Sequence, residues 1–484
     1  MRTRAILLVF SCLIMAVNFE ETPSRPMFNW YRWMRERKET KRTSNESSLS
    51  QLRNFGIKVR FEKIGSPPIE AETKDVCYSE ECIESANRIW DSMDLSVDPC
   101  SDFFQFACGG YMKKNPVTSK LPDHQKFQMD STLINVYKKL HVILEDDSKH
   151  PFLRRARRNY SRCVGKDEPS KCLRDLLANK NFEWFLGVAY ARDYPQTDKI
   201  NKTKIMLETV KTEVKTLVEN SMWMDRESIE NSVEKVDDVR TVIGYDPVTL
   251  TDHRKPRVNG LKAFMKPLRN NPFYVTHYNA MCLPVASMNS PVLNLGLDAL
   301  EYGAMGTIIG HEFAHCIHYY DHGKGGLWNT IWSDGTISRF NFMKDCFVNQ
   351  YAEEFRNFFT GRRDEVGKID GRKTVAENIA DLVGLQAAYR AFKRLNVTNR
   401  MLMGLITDYC PEQLFFLGMA NARCTSESVG FTEDFILDWS HVHSPWRFRV
   451  NVPLKNFKAF AEAWNCPSGS EMNPIKNGSR CTLY

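Results

Sequence analysis

The chain has 484 residues, of which 42% are hydrophobic, 26% charged and 12% aromatic. That balance supports a large buried core in roughly two to four domains and excludes a collagen, a long disordered chain and a many-span membrane protein. Its 66 Lys and Arg against 59 Asp and Glu leave a formal charge of +7, too dilute over this length to argue for nucleic acid as a partner.

Arg2 and Arg4 precede an apolar run from Ala5 to Val17, with the small residue Ala16 near its end. This is the make-up of a secretory signal peptide over residues 1–17. The run is short of the roughly 20 residues a membrane span needs; an uncleaved signal-anchor, with an extracellular body behind it, is the alternative. Residues 18–76 mix Pro, Ser and Glu with dense basic stretches such as Arg35–Lys38 and read as a flexible leader. Order is expected from Cys77. Helical apolar spacing starts at Ile83, Asp98-Pro99-Cys100 marks a turn, and residues 128–235 are mostly helical in pattern. Pro and Gly interrupt at Gly244–Pro247 and Pro256–Gly260. Phe273–Thr276 and Met281–Val285 predict short strands, and Leu297–Tyr319 and Thr374–Lys393 predict long helices.

Cysteine usage agrees with export. Of 14 cysteines, Cys12 lies in the signal, and the rest include the clusters Cys77/Cys82, Cys100/Cys108, Cys163/Cys172 and Cys466/Cys481. None forms the CxxC pairs of a zinc ribbon, so disulfides are the better reading. The odd remainder leaves at least one thiol free or bonded between chains. Asn45, Asn159, Asn201, Asn396 and Asn477 open N-x-S/T sequons compatible with the same compartment.

The chemistry concentrates in His311-Glu312-Phe313-Ala314-His315. On a helix, residues i and i+4 share a face, so both imidazoles can converge on one zinc ion while Glu312 takes a proton from an activated water. A third ligand sets the class. In the HExxHxxGxxH arrangement it would follow at once, but position 318 is His and position 321 is Asp. The other solution is a glutamate on a later helix. Glu377-Asn378-Ile379-Ala380-Asp381 opens one, 62 residues after His315. Glu377 and Asp381 share a face; one can bind zinc and the other can accept the second N–H of a zinc-bound imidazole. An isolated ExxxD is ordinarily a solvated acidic face; beside HExxH it reads as part of a metal site.

HEFAH, ENIAD and Val442-His443-Ser444-Pro445-Trp446-Arg447-Phe448-Arg449-Val450 resemble the three blocks of the neprilysin / endothelin-converting-enzyme family of zinc metallopeptidases. The run from Asp98 through Cys100 and Cys108 to Gly110 is similar to that family's start, and Trp223-Met224-Asp225 and Ile243-Gly244-Tyr245 to a mid-chain block. Gln413-Leu414-Phe415-Phe416 and Cys481 also fit. The resemblance covers about residues 77–163 and 204–484. It implies a mainly α (α+β) fold: a thermolysin-like zinc-peptidase catalytic lobe with a small β-sheet over 263–484, a reduced helical lobe covering the active site over 131–262, and an N-terminal segment, 77–130, packed on the catalytic lobe. It implies that His311, His315 and Glu377 hold one Zn2+ per chain, that Glu312 is the general base, and that Asp381 orients a ligand. His443 would donate to the oxyanion and Arg449 would bind a substrate carbonyl. It further implies disulfides Cys77–Cys82, Cys100–Cys466, Cys108–Cys424 and Cys346–Cys481. Cys163 lacks a family partner, and a local bond to Cys172 is expected. Cys282, Cys316 and Cys410 remain over.

Three departures bear on function. Family members are usually longer, and the loss here falls largely between about 164 and 203, in the roof of the chamber. The family's substrate-binding Asn-Ala pair on an edge strand has a counterpart in Asn279-Ala280, but close to Pro284; either the following loop is shortened, or Val275-Thr276-His277 takes the edge-strand place. Arg423 stands before Cys424, where the family often has Trp near a substrate pocket. The expected protein is a secreted zinc endopeptidase acting on peptides, membrane-attached only if the N-terminal segment is an uncleaved anchor. The alternative is a weak or inactive relative that binds peptides or proteins.

Overall fold

The computed structural model describes residues 76–117, 125–245, 268–318, 320–321, 326–327, 331–359, 363–395, 401–402, 409–438, 440–475 and 480–484. The signal (1–17), the leader up to residue 75, Cys12 and the sequons at Asn45, Asn396 and Asn477 lie outside them. Lys74–Tyr484 forms one unit. The architecture is mostly helical with small sheets, as the sequence led us to expect.

The helices are α1 (Glu80–Ser92), α2 (Phe103–Lys114), α3 (Ser131–Glu145), α4 (Arg154–Val164), α5 (Pro169–Ala178), α6 (Lys180–Asp193), α7 (Thr197–Glu219) and α8 (Arg226–Asp237), then α9 (Thr307–Ile317), α10 (Asp334–Phe358), α11 (Val375–Arg394), α12 (Pro411–Ala422), α13 (Val429–Leu437), α14 (Trp446–Asn456) and α15 (Lys458–Ala463). Several start where a short polar side chain accepts from a first-turn amide: Ser79 before α1, Asp102 before α2, Asp225 before α8, Ser333 before α10 and Ser428 before α13.

Among the described residues two apolar cores result. The larger gathers Phe103 of α2, Val210 and Val214 of α7, Phe313 of α9, Phe347 and Phe355 of α10, Phe415 and Phe416 of α12 and Phe460 of α15 around α11. The smaller is built by α3–α6, with Leu140, Tyr160, Leu173 and Leu186, and includes Leu268, Val285 and Ala286. The described part of 131–262, residues 131–245, therefore feeds both, since α7 and α8 belong to the larger. Helix α11 is buried on nearly every face, which is the pattern of a central helix. Any carboxylate on it needs a partner.

Strands β1 (Arg240–Gly244), β2 (Phe273–Val275) and β3 (Ala280–Pro284) form a three-stranded sheet in the order β1-β3-β2. β1 runs parallel to β3 with Val242 opposite Cys282, and β2 runs antiparallel with Tyr274 opposite Met281. β3 is buried along its whole length, as a central strand should be. The segment expected as one helix over Leu297–Tyr319 is instead a turn of α-helix at Asp298–Glu301, a π-helical turn at Tyr302–Gly306, and then α9. The wide turn occurs where Gly303 meets the carbonyl of Phe415; a Cβ there would lie 2.0 Å from that oxygen.

All five expected disulfides are formed: Cys77–Cys82, Cys100–Cys466, Cys108–Cys424, Cys163–Cys172 and Cys346–Cys481. Two of them tie α2 and the turn before it to the C-terminal half. Among the described residues Cys282, Cys316 and Cys410 are free, and no helix is long and apolar enough to cross a membrane.

Candidate metal centre

Helix α9 presents His311 and His315 one turn apart, and α11 presents Glu377 and Asp381 one turn apart. What brings the two pairs together is a glycine crossing. A Cβ built on Gly310 would stand 2.8 Å from the Gly384 Cα, and one on Gly384 would stand 2.5 Å from the His311 backbone nitrogen. Only at a Gly–Gly contact can these helices approach so closely.

At the crossing, Nε2 of His311 and Nε2 of His315 lie 3.0 Å apart. Glu377 Oε2 lies 3.1 Å from the first and 3.4 Å from the second. All three donor atoms fall within 4.8 Å of one another. Donors at about 2.0–2.2 Å around a tetrahedral zinc stand roughly 3.3 Å apart, so the set fits. Glu377 Oε2 is buried, and none of its imidazole contacts is aligned as a hydrogen bond. An orphaned carboxylate oxygen facing two imidazole nitrogens is the donor chemistry of a divalent transition metal.

The surroundings set the charge that each of these groups carries without metal. Burial works against the Glu377 carboxylate, but His315, His311 and His443 outweigh it and keep the group well below the usual carboxylate range. Burial also opposes charge on His311, yet the Asp381 bond and the nearby Glu377 carboxylate raise it, without metal, to about 9. His311 Nδ1 sits 2.9 Å from Asp381 Oδ1, which leaves Nε2 turned toward Glu377. Asp381 is in turn gripped by Arg449, whose Nε donates to Oδ2 and Nη2 to Oδ1, both at 2.8 Å. Arg449 also lies over the Trp446 ring, 4.7 Å from its centroid. Burial opposes the Asp381 charge; Arg449 and then His311 hold it below the ordinary range all the same.

Glu312 is buried beside β3. Burial first, and the Glu312 charge second, push the Cys282 thiol to about 11. His443, with 46% of its side chain exposed, brings Nε2 to 3.1 Å from Glu377 Oε2. The next residue ties its loop down: Ser444 Oγ donates to Asn378 Oδ1 at 2.7 Å, and Asn378 Nδ2 to Thr374 Oγ1 at 2.9 Å.

Six of the ten residues singled out by sequence therefore meet at one place, His311, His315, Glu377, Asp381, His443 and Arg449, and Glu312 is the buried neighbour of His311 on α9. Three do not join them in the expected way. The outer strands of the sheet are β1 and β2; of the expected edge segment Val275-Thr276-His277 only Val275 belongs to β2, Thr276–Tyr278 form a 3-10 turn, and Asn279 follows it in the left-handed region at φ 42°. Its amide is already used: Tyr274 Oη donates to Oδ1 at 2.6 Å and Nδ2 donates to the Lys235 carbonyl at 2.9 Å. Ala280 lies on the central strand with no exposure. Arg423 is buried inside, donating from Nη1 to the Met419 carbonyl and from Nη2 to Thr307 Oγ1, each at 3.0 Å. It fastens α12 to the start of α9 instead of facing a cleft. The Gly310–Gly384 crossing escaped sequence reasoning; an isolated glycine inside a helical pattern was its only signal.

The profiles of one family, Peptidase family M13, match residues 152–246 and 271–480, together more than half of the chain. The endothelin-converting enzyme homolog of Locusta migratoria is 26% identical over 359 residues, which are 64% of this chain and 47% of that protein. The chain thus spans about half the length of the curated relatives it matches. Among solved structures, a chain of the Haemonchus galactose containing glycoprotein complex aligns with TM-score 0.65 at 16% identity, over 85% of this chain and 100% of that one. Mycobacterium tuberculosis zinc metalloprotease Zmp1, in complex with an inhibitor, aligns with TM-score 0.51 at 20% identity, over 65% and 50%. The fold is that of these structures, and with both family matches in order along the chain, the second of them across the helices that carry the metal donors, the chain belongs to peptidase family M13.

Proposed function

We propose that the chain is a secreted zinc-dependent endopeptidase that hydrolyses peptides. The observation that carries this reading is the convergence of His311, His315 and Glu377 with Glu312 on the same turn of α9. Zinc, when bound there, polarises the scissile carbonyl and lowers the pKa of the attacking water. Glu312 takes the proton of that water and later returns it to the leaving amine. Asp381 fixes the tautomer and orientation of His311. His443 donates to the oxyanion as negative charge grows on it. Two of the five N–H donors of Arg449 are engaged by Asp381, and one of the other three would serve a substrate carbonyl. The α3–α6 core serves as the reduced roof, and exposed sequons at Asn159 and Asn201 with five disulfides support an oxidising, extracellular setting.

One observation favours a second reading, a zinc-holding relative that binds peptides without cutting them: Asn279, the amide expected to grip the substrate backbone, is spent inside its own turn. Zinc content and cleavage of a mixed peptide pool, followed by mass spectrometry for wild type and Glu312→Gln, separate the two. Stoichiometric zinc in both proteins, with cuts that drop by about 10²–10⁴-fold in the variant, is the expected result. Zinc with no cuts in either favours the binding protein. Equal cutting by both proteins removes Glu312 from the reaction.

A further inference from the structure

Lys373 closes the short 3-10 turn Gly371–Lys373 just ahead of α11, and only 5% of it is exposed. A buried lysine needs a reason. Its Nζ donates to three backbone carbonyls: Phe435 at 3.2 Å, Ile436, and Asp438 at 3.1 Å. Phe435 and Ile436 lie in the last turn of α13 and Asp438 is its cap. The last four carbonyls of a helix have no partner within it and carry the negative end of its dipole. An ammonium has three protons, and here each meets one carbonyl.

The end of α13 matters because it leads directly into the metal centre. Five residues beyond Asp438 the chain reaches His443, and Ser444 is bonded to Asn378 on α11. The segment that carries His443 is thus held at both ends by the N-terminal end of the helix that carries Glu377. Lys373 holds one end and Asn378 the other. His443 itself is half exposed and reaches Glu377 from that segment, so its position depends on how the segment is held.

We propose that Lys373 is a positioning residue: by capping α13 with its ammonium it clamps the His443 segment onto the Glu377 helix and sets where the His443 imidazole stands over the metal donors. The catalytic consequence rests on the peptidase reading above; the clamp does not. The test uses the full chain as Lys373→Met, with Lys373→Gln as a second variant should the first fail to fold. Hydrogen exchange reads the clamp directly. Amides of residues 440–444 should exchange faster in the variant while those in the middle of α11 keep their protection. Kinetics read the consequence. The value of kcat should fall about ten- to a hundredfold, the cost of a misplaced group, with zinc content unchanged and KM nearly so. In the His443→Ala background the same substitution should cost less than about twofold, because its target is gone. Unchanged exchange at 440–444, or an equal loss of kcat in both backgrounds, overturns the proposal. A wild-type chain that cuts nothing overturns the peptidase reading alone, and the exchange measurement still decides the clamp.

Discussion

Glu377 carries a charge in a place where burial opposes it, and three imidazoles surround the oxygen that has no aligned hydrogen bond. Such an arrangement is satisfied by a metal ion. Glu377→Ala should therefore yield protein that holds no zinc after dialysis, measured by elemental analysis; stoichiometric zinc in that variant would mean that another side chain is the third donor. Asp381→Asn is a milder change. The amide still accepts from His311 but loses the charge that pairs with Arg449, and buried charge left without its partner is costly. Zinc affinity should fall by about 10–100-fold, as loss of an orienting partner usually does, and competition with a chelator would measure it. These residues were legible in the sequence because each pair is local. The i, i+4 spacing of His311 with His315, and of Glu377 with Asp381, places each pair on one face whatever the rest of the chain does.

At the scale of elements, one contact decides the site and a second joins two of the helices around it. The first is the crossing of α9 and α11 at Gly310 and Gly384. Gly384→Ala inserts a methyl 2.5 Å from the His311 nitrogen and 2.7 Å from the Thr307 carbonyl. It should destabilise the fold by about 1–3 kcal/mol, the range for overpacking, and weaken zinc binding as His311 moves from Glu377. An unaltered melting temperature and zinc affinity would show that the helices yield freely. The second contact joins α8 to α10. Asp225 accepts from the Ser228 amide at 3.0 Å, from Thr336 Oγ1 at 2.6 Å and from Ser333 Oγ, so one carboxylate serves the first turns of both helices. Bonds to Ser333, Thr336 and Ser228 hold it below the usual carboxylate range. A carboxylate with a lowered native pKa lends stability that is present above its unfolded value, near 3.9, and is lost as the pH falls toward the native one. Asp225→Ala should melt earlier than wild type at pH 7, and the gap should close below about pH 4. A gap that stays constant across this range would show that the charge is not what matters.

For the whole molecule, the disulfides bear on stability unequally. Cys100–Cys466 and Cys108–Cys424 close loops of 366 and 316 residues, whereas Cys163–Cys172 closes one of 9. If the bridges act by restricting the unfolded chain, the long ones contribute most. Replacing Cys108 and Cys424 by Ser should cost about 2–5 kcal/mol, and replacing Cys163 and Cys172 by Ser should cost less. Denaturant midpoints give the order, and the reverse order would locate their effect in the native state. The two long bridges also fasten α2 and its leading turn to the C-terminal half, so the large core is closed by covalent bonds between distant parts of the chain, with α11 running through its middle.

The sequence by itself showed which side chains could bind metal, which could move a proton and which family shares these blocks, and the resemblance implied how most of the cysteines pair. Each rests on local spacing or on a long run of matched residues. What only the tertiary structure decided was contact between distant segments. His311 meets Asp381 across 70 residues, and nothing in either segment announces a crossing made by two glycines. The edge strand was ambiguous because β2 is three residues long, too short for its alternation to outweigh that of the neighbouring turn. The roles of Asn279 and Arg423 turned on whether their polar atoms were already used, which depends on what the fold lays beside them. Lys373 reads as one more basic residue in sequence; three carbonyls from a helix end 62 to 65 positions away make it a clamp. Hydrogen-bond partners and close approach are properties of neighbours in space, and chain order does not list them.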